Sequence, residues 1–220
     1  MGTIEKMNEF FNKRADGYEA HMLQCEYDCK YYGMIAERIL NTEDKIEILD
    51  LGCGTGLELD GVFSKCPNSL ITGIDMSDNM MKILKEKYKK FSSQLNLIKG
   101  SYMDVSFPKN KYDYVISSMT MHHFTYEEKK HLYGKIKSYL KNENSIYIEG
   151  DYMVNLDEEK QCLKEYHEKI KVLPEADKSL YHIDIPFSIE TQRKVFMEAG
   201  FTKVEVIYHR DNGVILVASL

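Results

Sequence analysis

Between residues 45 and 152 short apolar runs alternate with amphipathic stretches. KIEILDLG, SLITGID, QLNLIKG, YDYVISS and NSIYIEGDY read as five strands, rich in β-branched and aromatic residues and bounded by turn-forming ones. Leu59, Val62 and Phe63 mark a helix face between the first two. Ser77 predicts the cap of a helix whose apolar positions include Met80, Leu84 and Tyr88. Thr125 and Glu128 form a capping-box pair ahead of Leu132, Ile136, Tyr139 and Leu140. This rhythm predicts an α/β fold, a mostly parallel sheet with helices on both faces.

The flanks follow other patterns. Ile4, Met7, Phe10 and Phe11 fall at helical spacing, and CKYYGMIAERIL forms a second amphipathic run. After residue 152 a charged, helix-biased insertion, DEEKQCLKEYHEKIKVLPEADK, ends near Pro174. SIETQRKVFMEAGF returns to a helix stopped by Gly200. TKVEVIYHR and GVILVASL then flank Asp211-Asn212-Gly213, so a hairpin across an Asn-Gly turn predicts an antiparallel last strand. One domain over 1–220 accommodates all of this: a helical element over 1–42, a core over 45–152, an insertion over 153–182, and a C-terminal helix and hairpin over 183–220.

Composition narrows the class. Hydrophobic residues at 43% and charged residues at 29% match an ordinary globular chain. No run approaches the length of a membrane span, and the charged N-terminus lacks the apolar core of a signal peptide, which predicts a cytoplasmic protein. A formal charge of −6 without a long Lys/Arg run disfavours a dominant phosphate-neutralising surface. Five cysteines with no CxxC pair argue against a disulfide framework and a structural zinc site. Cys25 and Cys29, one helical turn apart, read as buried thiols, and no metal site is expected.

The stretch ILDLGCGTG places a glycine-rich loop directly after a strand. A P-loop needs a Lys-Ser or Lys-Thr pair that is absent here, and the dinucleotide fingerprint needs a small residue where Leu57 stands. Asp50 would repel a pyrophosphate at the helix N-terminus but suits a cationic ligand. Asp75 closes the second strand, where an acid accepts hydrogen bonds from ribose hydroxyls. A ribose, no phosphate and a nearby positive charge together describe S-adenosylmethionine.

DLGCGTG, GIDMSDNM, GSYMDVSF and YDYVISSMTMHHF, in this order over roughly residues 45–150, resemble the class I S-adenosylmethionine-dependent methyltransferases. The resemblance implies a Rossmann-like three-layer sandwich with a seven-stranded sheet, a helical N-terminal lid and an inserted cap. It implies that Gly52, Cys53 and Gly54 approach the methionine moiety with bare backbone, Asp75 holds the ribose and Met76 packs on the adenine. Ser101 and Tyr102 take the adenine-edge position, where relatives often have Asp-Ala or Asn, with Asp104 nearby. Ser118 matches a residue touching the methionine end, and Tyr18 in RADGYEAHM resembles the lid tyrosine of small-molecule members.

His122 and His123 follow the fourth strand at the edge where such sheets bind ligands, and either is a candidate base. Glu149 and Asp151 end the fifth strand and are candidates for a cationic acceptor. Tyr166, Tyr181 and His182 are candidate lining of the acceptor pocket. The expected activity is methyl transfer to nitrogen or oxygen of a small molecule, with no membrane partner. The alternatives are a tRNA-modifying carboxymethyl- or methyltransferase and a non-catalytic S-adenosylmethionine-binding subunit. The carboxymethyl branch reads its extra carboxylate with an arginine at the position of Val195, near Arg193.

Overall fold

The computed structural model describes residues 4–25, 29–173 and 181–220, with the side chains of Gln24, Cys25 and Cys29 outside that description. The thiols expected at Cys25 and Cys29, and the end of the insertion near Pro174, lie outside the described residues.

Seven strands form one sheet: β1 Glu47–Leu51, β2 Leu70–Asp75, β3 Leu95–Lys99, β4 Tyr114–Ser118, β5 Ile146–Tyr152, β6 Lys203–Arg210 and β7 Gly213–Ser219. Their order is β3-β2-β1-β4-β5-β7-β6, with β7 antiparallel to both neighbours and every other pair parallel. The turn into β7 is tighter than the sequence suggests. Arg210 already pairs with Gly213, so Asp211 and Asn212 alone make the turn, with Asp211 at φ 51°.

Eight helices accompany the sheet among the described residues: α1 Met7–Arg14, α2 Tyr18–Cys25, α3 Cys29–Ile35, α4 Leu59–Lys65, α5 Asp78–Lys87, α6 Tyr126–Tyr139, α7 Leu156–Ile170 and α8 Ile189–Glu198. The expected caps form: Ser77 Oγ accepts from Met80 N–H, and Thr125 and Glu128 make the reciprocal capping box. Alternation along the strands splits the core into two layers. Ile48, Ile116 and Ile148 pack against Tyr31, Ile35, Val62 and Leu84, while Leu49, Val115 and Tyr147 pack against Leu132, Ile136, Val195 and Phe196. This is the three-layer arrangement.

A polar network crosses the second layer. Glu149, fully buried in β5, accepts from Tyr133 Oη (2.7 Å), Tyr147 Oη (2.9 Å) and Gln192 Nε2 (2.5 Å). Lys129 Nζ donates to Gln192 Oε1 at 3.1 Å and lies 4.0 Å from the centroid of the Phe187 ring. Glu149 is therefore committed to the core between α6, α8 and the sheet, which corrects the expectation that it meets an acceptor. Burial, then the charge of Asp151, pushes its pKa up to about 7.

Helix α7 leans on the fold lightly and has no fully buried residue. The segment after the insertion instead ties back to the N-terminus, through the Lys6–Tyr181 bridge and the 2.9 Å bond from His182 N–H to Glu5 O. No helix of the described residues is long and apolar enough to cross a membrane.

Two outcomes follow from this packing. A Cβ at Gly150 would lie 2.8 Å from Tyr31 Oη and 3.1 Å from Ile35 Cδ1, so Gly150→Ala should lower stability by about 1–3 kcal/mol, read from the denaturant midpoint. The folded Glu149 holds a proton at a pH where the unfolded chain, near 4.5, has released it. Stability should therefore fall as pH rises from about 4.5 to about 7, and Glu149→Gln should flatten that slope in melts across the range.

Candidate active site

The strand order reverses between β1 and β4, and a cleft opens there at the C-terminal edge of the parallel strands. Past β1 the chain turns through Gly52 at φ +74°, where an added Cβ would meet Thr120 Oγ1 at 2.6 Å. Only glycine fits. Gly52 and Cys53 N–H both donate to Ile74 O, at 2.9 and 3.1 Å. Gly54 N–H donates to Asp75 Oδ2 at 2.9 Å, and Ser77 N–H donates to Asp75 Oδ1 at 2.7 Å.

Gly52, Asp75, Met76, Ser101, Tyr102 and Asp104 line a narrow slot beside this loop. Met7, Asn8 and Phe11 of α1 contribute to the same lining. Asn12 fastens α1 to the start of α5: its Oδ1 accepts from Ser77 Oγ (2.8 Å) and Asn79 N–H (3.1 Å), and its carbonyl accepts from Asn79 Nδ2 (3.0 Å). Tyr102 Oη and Thr120 Oγ1 are hydrogen-bonded at 2.7 Å, and Ser101 Oγ accepts from Met103 N–H at 3.1 Å. Cys53 and Gly54 do not line the slot. Their amides are spent inside the fold and the Cys53 side chain packs in the core, so of the three expected bare-backbone positions only Gly52 borders the slot, and its amide too is taken by Ile74 O.

Asp75 in the slot and the acids buried near it fit a cationic nucleoside, although Asp50, Glu58 and Ser118 line neither the slot nor the larger cleft. Asp50 is fully buried at the end of β1 and neither carboxylate oxygen has a hydrogen-bond partner; Glu58 Oε1 and Ser118 Oγ are buried in the same condition. Burial and then the neighbouring Glu58 charge push Asp50 well above the ordinary carboxylate range, and burial likewise raises Glu58. A positive group reaching this pair would pull both back down. Asp75, raised by burial against two backbone N–H bonds, retains lone pairs for hydroxyl donors.

A second, larger cleft of about 1040 Å³ adjoins the slot. Tyr18, Tyr152, Met119, His122, His123, His182 and Asp184 line it, with His21 also contributing. The Tyr18 hydroxyl is pushed up by burial first and then by the Glu58, Asp75 and Asp151 carboxylates, which puts it within their field. His122 Nδ1 lies 2.5 Å from Asp151 Oδ1. Burial works against the charged His122 ring, but the Asp151 charge and hydrogen bond outweigh it and hold its pKa above the usual value. Asp151 is thereby engaged by a histidine rather than open to a cationic acceptor.

His123 Nδ1 is 3.1 Å from Asp184 Oδ1. Burial, then the His122 charge, lowers the His123 pKa to about 4, so its ring is neutral at physiological pH. The His182 ring stacks on Phe10 at 3.5 Å. Phe11 and His123 line both clefts and form the partition between them.

Of the other candidates, Tyr166 packs against the core and Tyr181 bridges to Lys6. Val195 is fully buried and Arg193 is exposed. The sequence reading missed Asp184, Glu58 and Phe11. The alternation in YHIDIPF, with His182 and Asp184 on one side of an extended segment, is the signal that would have found Asp184.

A family model described as a methyltransferase domain matches residues 48–143. The chain is 31% identical over 137 residues to malonyl-[acyl-carrier protein] O-methyltransferase 2 of Ilyobacter polytropus, covering 62% of this chain and 50% of that protein. It is 28% identical to carboxy-S-adenosyl-L-methionine synthase of Campylobacter hominis, covering 86% and 83%. The chain thus spans half the length of the first relative and most of the second. The structure of human N-acetylserotonin methyltransferase in complex with S-adenosylmethionine superposes with a TM-score of 0.63 at 14% identity, over 96% of this chain and 55% of that one. The four ordered motifs, the sheet order and the matched segment 48–143 all agree in likening the chain to the class I S-adenosylmethionine-dependent methyltransferases.

Proposed function

We propose that this chain transfers the methyl group of S-adenosylmethionine to an oxygen or nitrogen of a small molecule held in the histidine-lined cleft. The observation that carries this reading is the shared partition: Phe11 and His123 belong to both clefts, so whatever occupies one meets the other there. S-adenosylmethionine supplies a methyl group on a positively charged sulfur. Asp75 holds the ribose hydroxyls, while the buried Asp50–Glu58 pair, kept from full ionisation by burial, gains charge when a cationic group comes near it. Tyr18 and the helix α1 keep water from the partition, and the imidazoles around His123 meet the acceptor atom and weaken its hold on a proton. The name of the Ilyobacter relative favours oxygen as the acceptor atom.

A second reading rests on the Campylobacter match, which covers most of both chains. Handling a carboxylated cofactor calls for a cation beside the transferred group. The expected position in α8 is the buried Val195, and Lys13 and Arg14, which line the large cleft from the end of α1, are both paired with Glu5, so methyl transfer is preferred.

S-adenosylhomocysteine at one hundred times its Kd should raise Tm by about 5–10 °C, and NAD at the same concentration should not. Asp75→Ala and the gentler Asp75→Asn should each weaken cofactor binding at least tenfold by calorimetry; unchanged affinity in both would refute the ribose assignment. His123→Ala should reduce kcat with an acceptor by about 10²-fold or more while cofactor affinity stays within a few-fold. Carboxymethyl rather than methyl products by mass spectrometry would favour the second reading.

A further inference from the structure

We infer that His122, His123 and Asp184 form a site for a divalent transition-metal cation in the acceptor cleft, with a coordination position open to the acceptor. Their donor atoms all lie within 4.8 Å of one another. His122 Nε2 and His123 Nδ1 are 3.8 and 3.1 Å from the same oxygen, Asp184 Oδ1. Two donors bound at about 2.0–2.1 Å in tetrahedral geometry stand about 3.3 Å apart, so small side-chain movements close the set around one ion. His182 Nε2 lies 3.8 Å from that oxygen as well, which makes the surroundings imidazole-rich.

Two further observations separate this cluster from a chance group of polar residues. The His123 side chain is 3% exposed, its Nε2 has no hydrogen-bond partner, and its Nδ1 faces only Asp184 Oδ1, 3.1 Å away. A buried imidazole held by one carboxylate oxygen alone is poorly satisfied, and an ion at Nδ1 gives that nitrogen a full partner. His122 has its Nδ1 taken by the buried Asp151 carboxylate, an arrangement that fixes the ring and leaves the Nε2 lone pair for the cluster. A carboxylate behind a histidine is the recurring support of metal-binding imidazoles. Asp184 is half exposed on the cleft side, so an ion has a way in.

Two imidazoles and one carboxylate suit Zn²⁺, Fe²⁺ or Mn²⁺ better than Mg²⁺ or Ca²⁺. Three protein ligands leave room for an acceptor oxygen or nitrogen, and the acceptor class becomes one that can coordinate: a phenol, catechol, hydroxy acid or carboxylate. A hydroxyl bound there releases its proton to cleft water and stays on the ion as the alkoxide, which lowers the pH at which it is nucleophilic. The assignment rests on the methyl-transfer reading only for this use of the open position.

The test is metal binding without turnover. Protein stripped with chelator and dialysed against Zn²⁺ alone should retain one equivalent per chain by mass spectrometry, and Co²⁺ should give the visible absorption of a low-coordinate site. His123→Gln and Asp184→Asn should each weaken Zn²⁺ binding at least tenfold with an unchanged circular dichroism spectrum. Asp151→Asn should weaken it about 10–100-fold, and the exposed His131→Gln on α6 should not alter it. Wild-type binding no tighter than that of the double variant His123→Gln/Asp184→Asn would overturn the site, as would equal losses in His131→Gln. S-adenosylhomocysteine binding, measured on the same samples, reports separately on the methyl-transfer reading.

Discussion

The slot beside the glycine loop hangs on the Asp75 carboxylate. One oxygen receives the amide of Gly54 and the other the amide of Ser77, so a single half-buried acid joins the glycine loop to the start of α5. Ser77 carries the connection onward by donating to Asn12, which brings α1 down over the slot. Charge-assisted bonds of this kind are stronger than neutral ones, and their donors here are rigid backbone groups. The loop geometry, the capping of α5 and the roof of the slot are therefore consequences of one residue's position at the end of β2.

The larger cleft is assembled differently. His122 and His123 sit on a short turn after β4, whereas His182 and Asp184 belong to an extended segment about sixty residues later. What brings them together is the anchoring of that segment to the fold, through Ile185 N–H to His122 O (2.6 Å) and Val154 N–H to Phe187 O (3.1 Å). The sheet places Asp151 beneath His122, and the Glu149 network lies two residues further back on the same side of β5. A polar column thus runs from Ser117 and Tyr147 in the core to the imidazoles at the rim, with its buried acids held by named donors at every step but the last.

Much of the fold was legible because its signals are local. Apolar runs, the Ser77 cap and the Thr125–Glu128 box each lie within a few residues, and the structure has strands and helices at those places. Asp75, Met76, Ser101 and Tyr102 were found by position after a strand, and all four line the slot. Contacts between distant segments were not legible. Glu149 looks like a site acid from its place at a strand end, yet Tyr133 and Gln192, on two separate helices, claim it. Asp184 carries no motif of its own and gains meaning only beside His123. The loop amides illustrate the same limit, since nothing in GCGTG announces that Ile74 O will take two of them.

The clamp at Asn12 sets a cadence for the molecule. Because α1 roofs the slot and Phe11 also walls the larger cleft, widening the slot on that side parts α1 from α5 and breaks three hydrogen bonds, at a cost of roughly 1.5–4.5 kcal/mol. At thermal equilibrium that corresponds to an ajar state present in roughly one molecule in ten to one in two thousand. The two chambers consequently share one movable wall, and a shift of Phe11 alters the room in both at once.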